Sequence, residues 1–285
     1  MRPVIADILD LDRYPLARLE SAEGQALVSS CREELALSGM FNLVGLIRAE
    51  IIEQIVREIA PVIQSSAFTH RSQHNIYFLS KVEGLDSEHP ALQLFETINH
   101  TICADQIPNS ALMKLYNWPP LAGFLAEVME KPALYPMADS LACLNIMAYR
   151  DGEALGWHFD RSEFTTTLLL QVPEQGGEFE YRTGLRDENN PNYAGIGAFL
   201  QSSNSSTNKL ILHPGSLNVF RGKNTLHRVT PIQGPRERII AVFSYFERPA
   251  VRFTDEDNLR FYGRTSVSSQ QSTSGPLDDD SDSVC

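Results

Sequence analysis

From Leu141 onward the chain is a succession of short β-type runs separated by turn-forming dipeptides, and this texture narrows the fold more than any other feature. The runs read LNIMAY, FTTTLLLQV, GEFEYR, KLILH, SLNVF and RIIAVFSYF. Asp151-Gly152, Gly176-Gly177, Pro214-Gly215 and Gly234-Pro235 break them, because Gly and Pro supply the backbone angles of reversals and resist strand interiors. Many short strands at this spacing make a jelly roll or sandwich. One stretch does not fit the rhythm. Asp187 to Asn208, rich in Asn, Ser and Gly, reads as a long inter-strand insertion and a candidate mobile lid.

The first 140 residues or so read mainly as helix. Ile47, Ile51, Ile55 and Ile59 fall about one turn apart, with Ile52 and Val56 widening the stripe until Pro61, which is expected to stop it. Ser21, Glu23 and Gly24 open an earlier helix running through Leu37, with Gly39 closing it. Pro90 to Ile102 and Leu121 to Met129 are read as two more. The fold class is therefore α+β. Residues 1–140 form a helical brace packed on a core at 141–264, and the Ser-, Gln-, Thr- and Asp-rich stretch at 265–285 has almost nothing to bury and is expected to be disordered. With 42% hydrophobic residues in 285, one compact domain with a substantial core is expected.

Charge limits the partners. The formal net charge is −12, and four of the acids, Asp278, Asp279, Asp280 and Asp282, sit in the tail, which leaves about −8 on the body. Such a surface repels phosphate backbones, so no nucleic acid partner is expected, and small cationic or zwitterionic substrates fit better. Cys31, Cys103, Cys143 and Cys285 are far apart and form no CxxC pair, which argues against a zinc knuckle or a disulfide framework. The segment MRPVIADILDLDRY has acids where a signal peptide needs an apolar stretch, and no run approaches a membrane span. A cytoplasmic location with no membrane partner is expected; the oligomeric state is not legible.

The chemistry concentrates in His158-Phe159-Asp160, followed 69 positions later by His227. Residues two apart on a strand point to one side, so the His158 imidazole and the Asp160 carboxylate are able to grip one ion together. A second histidine from a distant strand completes two nitrogens and one oxygen and leaves three coordination positions open, the facial triad of non-haem iron oxygenases. His158, Asp160 and His227 are thus the candidate metal and catalytic residues.

The surrounding wording sharpens this. AYRDGEALGWHFD, FTTTLLLQVPEQGGEFEY and LHPGSLNVFRGKNTLHRVTPIQGPRERIIAVFSYFERP resemble the double-stranded β-helix (jelly-roll, cupin-like) core of the iron(II)/2-oxoglutarate-dependent oxygenases, over roughly Leu141 to Pro249. With the closing FTDEDNLRFYGR, the motifs are most similar to bacterial enzymes that hydroxylate or chlorinate free amino acids such as lysine. The resemblance implies Fe(II), 2-oxoglutarate as co-substrate and O2, with succinate and CO2 as by-products. It also implies that a carboxylate at position 160 favours hydroxylation, because related halogenases carry Gly or Ala there and leave a site for chloride. Desaturation stays open.

By the same resemblance, an arginine near the start of the last long run grips the far carboxylate of 2-oxoglutarate. Arg236 and Arg238 both qualify by spacing and share a face. Arg238 is favoured because IIAVFSYF follows it as a buried run, and a guanidinium pairs with a carboxylate through two parallel hydrogen bonds. Tyr149, Asn145 and Ser244 are candidates for further hydrogen bonds to that ligand. For the substrate, THRSQHNIYF read as a strand puts Arg71, Gln73, Asn75 and Tyr77 on one face, too polar for a core. Arg71 is the candidate for a substrate carboxylate, with Asn75 and Trp157 as further contacts.

Structural alternatives accompany these readings: a simple His–carboxylate hydrogen bond for 158 and 160, a buried histidine for 227, a surface charge for Arg236, an exposed hairpin for residues 69–78, and packing for Trp157. The expected substrate is a small molecule, an amino acid or derivative. A protein side-chain oxygenase and a non-catalytic metal-binding jelly roll are the alternatives.

Overall fold

The computed structural model describes residues 4–79, 81–202 and 206–267. Its strands of three residues or more are β1 (Met40–Leu43), β2 (Phe68–His74), β3 (Phe95–Cys103), β4 (Leu144–Tyr149), β5 (Leu155–His158), β6 (Thr165–Gln171), β7 (Phe179–Arg182), β8 (Asn208–Leu210), β9 (Leu217–Phe220), β10 (Leu226–Val229) and β11 (Arg238–Phe243). They form a seven-stranded sheet in the order β1-β9-β6-β11-β4-β3-β2 and a four-stranded sheet in the order β8-β7-β10-β5. Neighbouring strands pair antiparallel in both. The two sheets close over one another as a jelly roll, with the functional cavity between them.

Alternation along the central strands separates the two sides of the larger sheet. Ile102, Ile146, Ala148, Leu168, Ile239 and Ala241 are fully or almost fully buried in the main apolar core. Onto that side pack the helices α1 (Ala22–Ser38), α2 (Ala49–Ser66), α3 (Ala111–Tyr116) and α4 (Pro119–Val128). Helix α1 starts at Ser21, whose hydroxyl accepts from the Gly24 N–H at 3.1 Å, and stops at Gly39, where φ is +77° as a left-handed cap requires. The sequence placed both ends within a residue.

Several expectations are corrected. Pro61 lies inside α2, which continues to Ser66. Proline removes one hydrogen bond to the carbonyl four residues back, and here Pro61 and Arg57 are both exposed, so the freed carbonyl lies on the solvent face rather than in the core. Residues 90–102 are not a helix but a short 3-10 turn, Pro90–Leu92, followed by β3. The β-branched Thr97, Ile98, Thr101 and Ile102 favour the sheet, and tertiary pairing on both sides of β3 decides the outcome. Three strands from before residue 140 therefore join the larger sheet, so that region is more than a brace.

The 187–208 insertion carries a helix, α5 (Tyr193–Gln201), packed against Pro90 and Trp157 behind the metal-bearing strands; none of its described residues lines the cavity. KLILH pairs only as far as Leu210, with Ile211 79% exposed. RIIAVFSYF is interrupted at Ser244 between β11 and the short pairing of Tyr245–Phe246 with Tyr135–Pro136. A last helix, α6 (Asp255–Tyr262), closes one end of the cavity. Cys31, Cys103 and Cys143 are free and buried. The expected disordered tail lies, from residue 268 on, outside the described residues. No helix among the described residues is long and apolar enough to cross a membrane.

Candidate active site

Strands β5 and β10 pair so that His158 stands directly opposite His227. Cross-strand partners share a face, so the two imidazoles meet over the cavity with ring centroids 4.1 Å apart. Asp160 lies two residues past the end of β5, in irregular chain rather than on the strand. Its N–H donates to the Gly222 carbonyl at 3.1 Å, and its Oδ2 accepts from the Thr165 hydroxyl at 2.5 Å. This leaves Oδ1 turned to the histidines, 3.2 Å from His158 Nε2 and 3.6 Å from His227 Nε2. Gly222 is needed here: a Cβ at that position would run into Asp160 Oδ2 and Thr165 Oγ1.

Protonation is set for metal binding. His158 Nδ1 donates to the Gly156 carbonyl at 2.8 Å and His227 Nδ1 to the Thr225 carbonyl at 2.9 Å. With the proton on Nδ1, each Nε2 presents a lone pair to the same point. Burial, then the neighbouring His158, push His227 down to about 4, so its ring is neutral at physiological pH. Burial works against ionisation of Asp160, but His227, His158 and the Thr165 hydroxyl outweigh it and hold the carboxyl well below its usual range. One ligand atom from each of the three residues lies within 4.8 Å of the others.

The cavity between the sheets has a volume of about 280 Å³. On its inner wall sits Arg238, 2% exposed. Its Nε donates to the Gly177 carbonyl at 3.1 Å, while no carboxylate among the described residues comes within ion-pair distance of its guanidinium. Burial lowers it to about 10, still a cation at neutral pH. Tyr149 stands beside it in register on β4, 1% exposed, and among the described residues its hydroxyl meets Met147 Sδ alone, at 3.9 Å.

The comparisons with known proteins agree with this architecture. The model of the halogenase D family (HalD) matches residues 23–256. The chain belongs to that family. Among solved structures, SnoN, a non-haem α-ketoglutarate-dependent epimerase from nogalamycin biosynthesis, is 14% identical with a TM-score of 0.53, covering 78% of this chain and 81% of its own. HygX from Streptomyces hygroscopicus, solved with nickel, 2-oxoglutarate and hygromycin B, is 12% identical with a TM-score of 0.53, covering 84% and 96%. At such identities these likenesses speak to the fold. No curated protein matches. As a halogenase D family member with this jelly roll and this two-histidine, one-carboxylate group, the chain is an iron(II)/2-oxoglutarate-dependent oxygenase.

The residues present fit both groups that such an enzyme holds. Two imidazole nitrogens and one carboxylate suit iron(II). A buried guanidinium without a counter-charge is costly until an anion pairs with it, which is what the far carboxylate of 2-oxoglutarate offers.

The remaining sequence candidates separate. Arg238 and Tyr149 line the cavity; Arg236 is exposed and donates to the Pro173 carbonyl at 3.3 Å. Asn145 shares the inner face but is fully engaged, donating to the Leu141 carbonyl at 2.9 Å and accepting from Tyr262 at 2.8 Å. Ser244 lies past the end of β11 and donates to the Ala142 carbonyl at 3.2 Å. Arg71 points outward, 65% exposed and paired with Glu96 at 2.9 Å. The expected register was off by one: β2 turns His70, Ser72 and His74 to the cavity and Thr69, Arg71 and Gln73 to solvent.

Asn75 braces the turn after β2, its Oδ1 accepting from the Tyr77 and Leu79 N–H groups. Trp157 faces away from the cavity, edge-on to Phe199 at 5.4 Å and under Arg228 at 4.7 Å. Sequence reasoning missed His70, His74, Phe78, Arg161, Arg260 and Tyr262, all in the cavity wall. For the last pair a signal existed: Thr254 as cap, DED in the first turn and Gly263 as stop spell a short helix carrying Arg260 and Tyr262.

Proposed function

We propose that this halogenase D family member hydroxylates an unactivated C–H bond of a small polar metabolite of amino-acid size, and does not chlorinate it. The observation that carries the reading is Asp160. A halide needs a coordination position beside the two histidines, and in this chain a carboxylate occupies the place, fixed by Thr165 and the Gly222 backbone. When bound by His158, Asp160 and His227, iron(II) with 2-oxoglutarate and O2 supplies oxidative decarboxylation to succinate and CO2 together with oxygen insertion into C–H.

The protein's part is positioning and exclusion of water. Arg238 would hold the far carboxylate of the co-substrate, with the Tyr149 hydroxyl beside it. Phe179 and Phe220 flank His227, with ring centroids 5.5 and 4.8 Å away, and keep water from that side. Phe78 stacks on His74 at 4.5 Å and stands edge-on to His158 at 5.7 Å; its φ of +55° is a strained value for a non-glycine residue, held at the cavity wall. A cavity of about 280 Å³ suits a metabolite better than a protein side chain on its backbone, and supports the small-molecule reading over the peptide one.

The test is purified enzyme with iron(II), 2-oxoglutarate, O2 and chloride across a panel of free amino acids, following succinate and product mass. Substrate-stimulated succinate with a product heavier by one oxygen atom is expected, and Asp160→Ala should lose it. A chlorinated product from the unaltered enzyme would overturn the reading, and full hydroxylation by Asp160→Ala would remove Asp160 from the metal shell.

A further inference from the structure

Resting on the oxygenase reading of the same cavity, we propose that the substrate carries net negative charge: a small molecule with an oxyanion group beyond any α-carboxylate, a second carboxylate in the first instance, gripped at the cavity mouth by Arg260 and Arg161. The charges facing the cavity are lopsided. Arg161, Arg238 and Arg260 line it, and among its described lining residues the single acid is Asp160, itself committed to the metal group. Arg238 is buried inside, while Arg161 and Arg260 are exposed at the rim; this positive site belongs to a chain of net charge −12, so the global charge misleads about it. A cavity of one sign with low-dielectric walls concentrates ligands of the other.

Arg238 is committed to the co-substrate, which leaves two cations for the substrate. Their guanidinium carbons lie 5.7 Å (Arg161) and 5.6 Å (Arg260) from the centroid of one ring, Phe261. His70, on the cavity face of β2, packs on that ring at 5.7 Å and donates from Nδ1 to the Arg260 carbonyl at 3.1 Å. The platform is anchored. Asn258 Nδ2 donates to Asp139 at 3.2 Å, Tyr262 donates to Asn145 at 2.8 Å, and Arg264 pairs with Asp105 at 2.7 Å just past the end of α6. Arg161 directly follows the metal-group residue Asp160, which fixes its distance from the reacting centre along the chain.

Arg161 is partly neutralised by Asp257 at 3.1 Å, whereas Arg260 has no acidic partner within ion-pair distance among the described residues. The rest of the wall on that side offers hydroxyls and an amide, Ser72, Thr97, Asn99 and Thr101, which serve neutral polar groups. A terminal ammonium such as that of lysine would enter without a counter-charge, and burying it so is unfavourable. Among amino-acid-sized molecules the cavity therefore selects acidic over basic ones.

The experiment compares L-glutamate, L-glutamine, L-lysine and O-phospho-L-serine on the full chain loaded with iron(II) and 2-oxoglutarate. Binding is read by calorimetry without O2, and succinate formation with it. Glutamate or O-phosphoserine is expected to bind about tenfold or more tighter than glutamine, as one charge-assisted contact implies, with lysine weakest. Preference for O-phosphoserine over glutamate would assign the oxyanion as phosphate. Arg260→Ala should erase the preference, and Arg260→Glu should shift it toward lysine. Lysine binding as well as glutamate, or glutamine matching both acids, overturns the proposal. Absence of succinate in every arm would strike at the oxygenase reading instead, and the charge preference would still be read from binding.

Discussion

Along β4 and β11 the outward residues Ile146, Ala148, Ile239 and Ala241 are apolar and buried beneath the helices, while the inward residues Tyr149 and Arg238, one position away, carry a phenol and a cation into the cavity. The same backbone hydrogen bonds hold both sets. What differs is the cost of burial. The outer face gains from every methyl removed from water. The inner face keeps an uncompensated guanidinium at 2% exposure and a buried phenol, both unfavourable until a ligand arrives. Stability therefore resides on one face of the sheet and function on the other, and substitutions on the two faces should separate fold from activity.

The sharpest break of that comparison is Arg238→Met. Loss of the carboxylate grip should raise the 2-oxoglutarate requirement by about a hundredfold. Without co-substrate the same variant should be more stable than the parent, by about 1–4 kcal/mol, because an unpaired buried charge gives way to an apolar chain of similar length. Denaturant unfolding with and without 2-oxoglutarate checks both halves. A variant that loses stability in the absence of co-substrate would mean that Arg238 is a structural residue.

On the outer face the expectation inverts. Ile146→Ala should cost about 2–5 kcal/mol in unfolding free energy, since Ile146 is fully buried in the main core. Its 2-oxoglutarate KM should stay near that of the parent at temperatures where the variant is folded, because the side chain points away from the cavity. A large KM change at full folding would show that the two faces are coupled through β4.

The same division explains what was legible. The β-rich core, the turns, both ends of α1 and the His158, Asp160 pair follow from local pattern, because short runs, caps and an HxD spacing leave marks in contiguous residues; His227, 69 positions on, was legible through the motif around it. Strand β3 was not legible: FETINHTIC mixes polar and apolar residues without a clear period, and its state is set by pairing to β2 and β4, which are distant or wrongly bounded in sequence. Register in β2 was lost for a related reason. Both of its faces are polar, so no hydrophobic alternation says which side faces in, and a slip of one residue exchanges Arg71 for His70 and Ser72. One wall of the cavity is contributed by β2, β3 and α6, which meet only in the folded chain. Arg260 shows the limit plainly, since nothing near it in sequence announces that it lines the same cavity as Arg238.

The smallest expected effects lie at two arginines that the sequence made conspicuous. Arg71 pairs with Glu96 in solvent, and Arg236 reaches a backbone carbonyl from an exposed loop. Exposed pairs of this kind gain little Coulomb energy against water and lose side-chain freedom, so Arg71→Ala and Arg236→Ala should each change unfolding free energy by no more than about 0.5 kcal/mol. Neither should move the 2-oxoglutarate KM appreciably, in contrast to Arg238→Met. A steep rise in that KM for Arg236→Ala, with Arg238→Met near the parent, would reverse the choice of anchor. It would mean that an exposed guanidinium, freed from the Pro173 carbonyl, swings in to do what the buried one is placed to do.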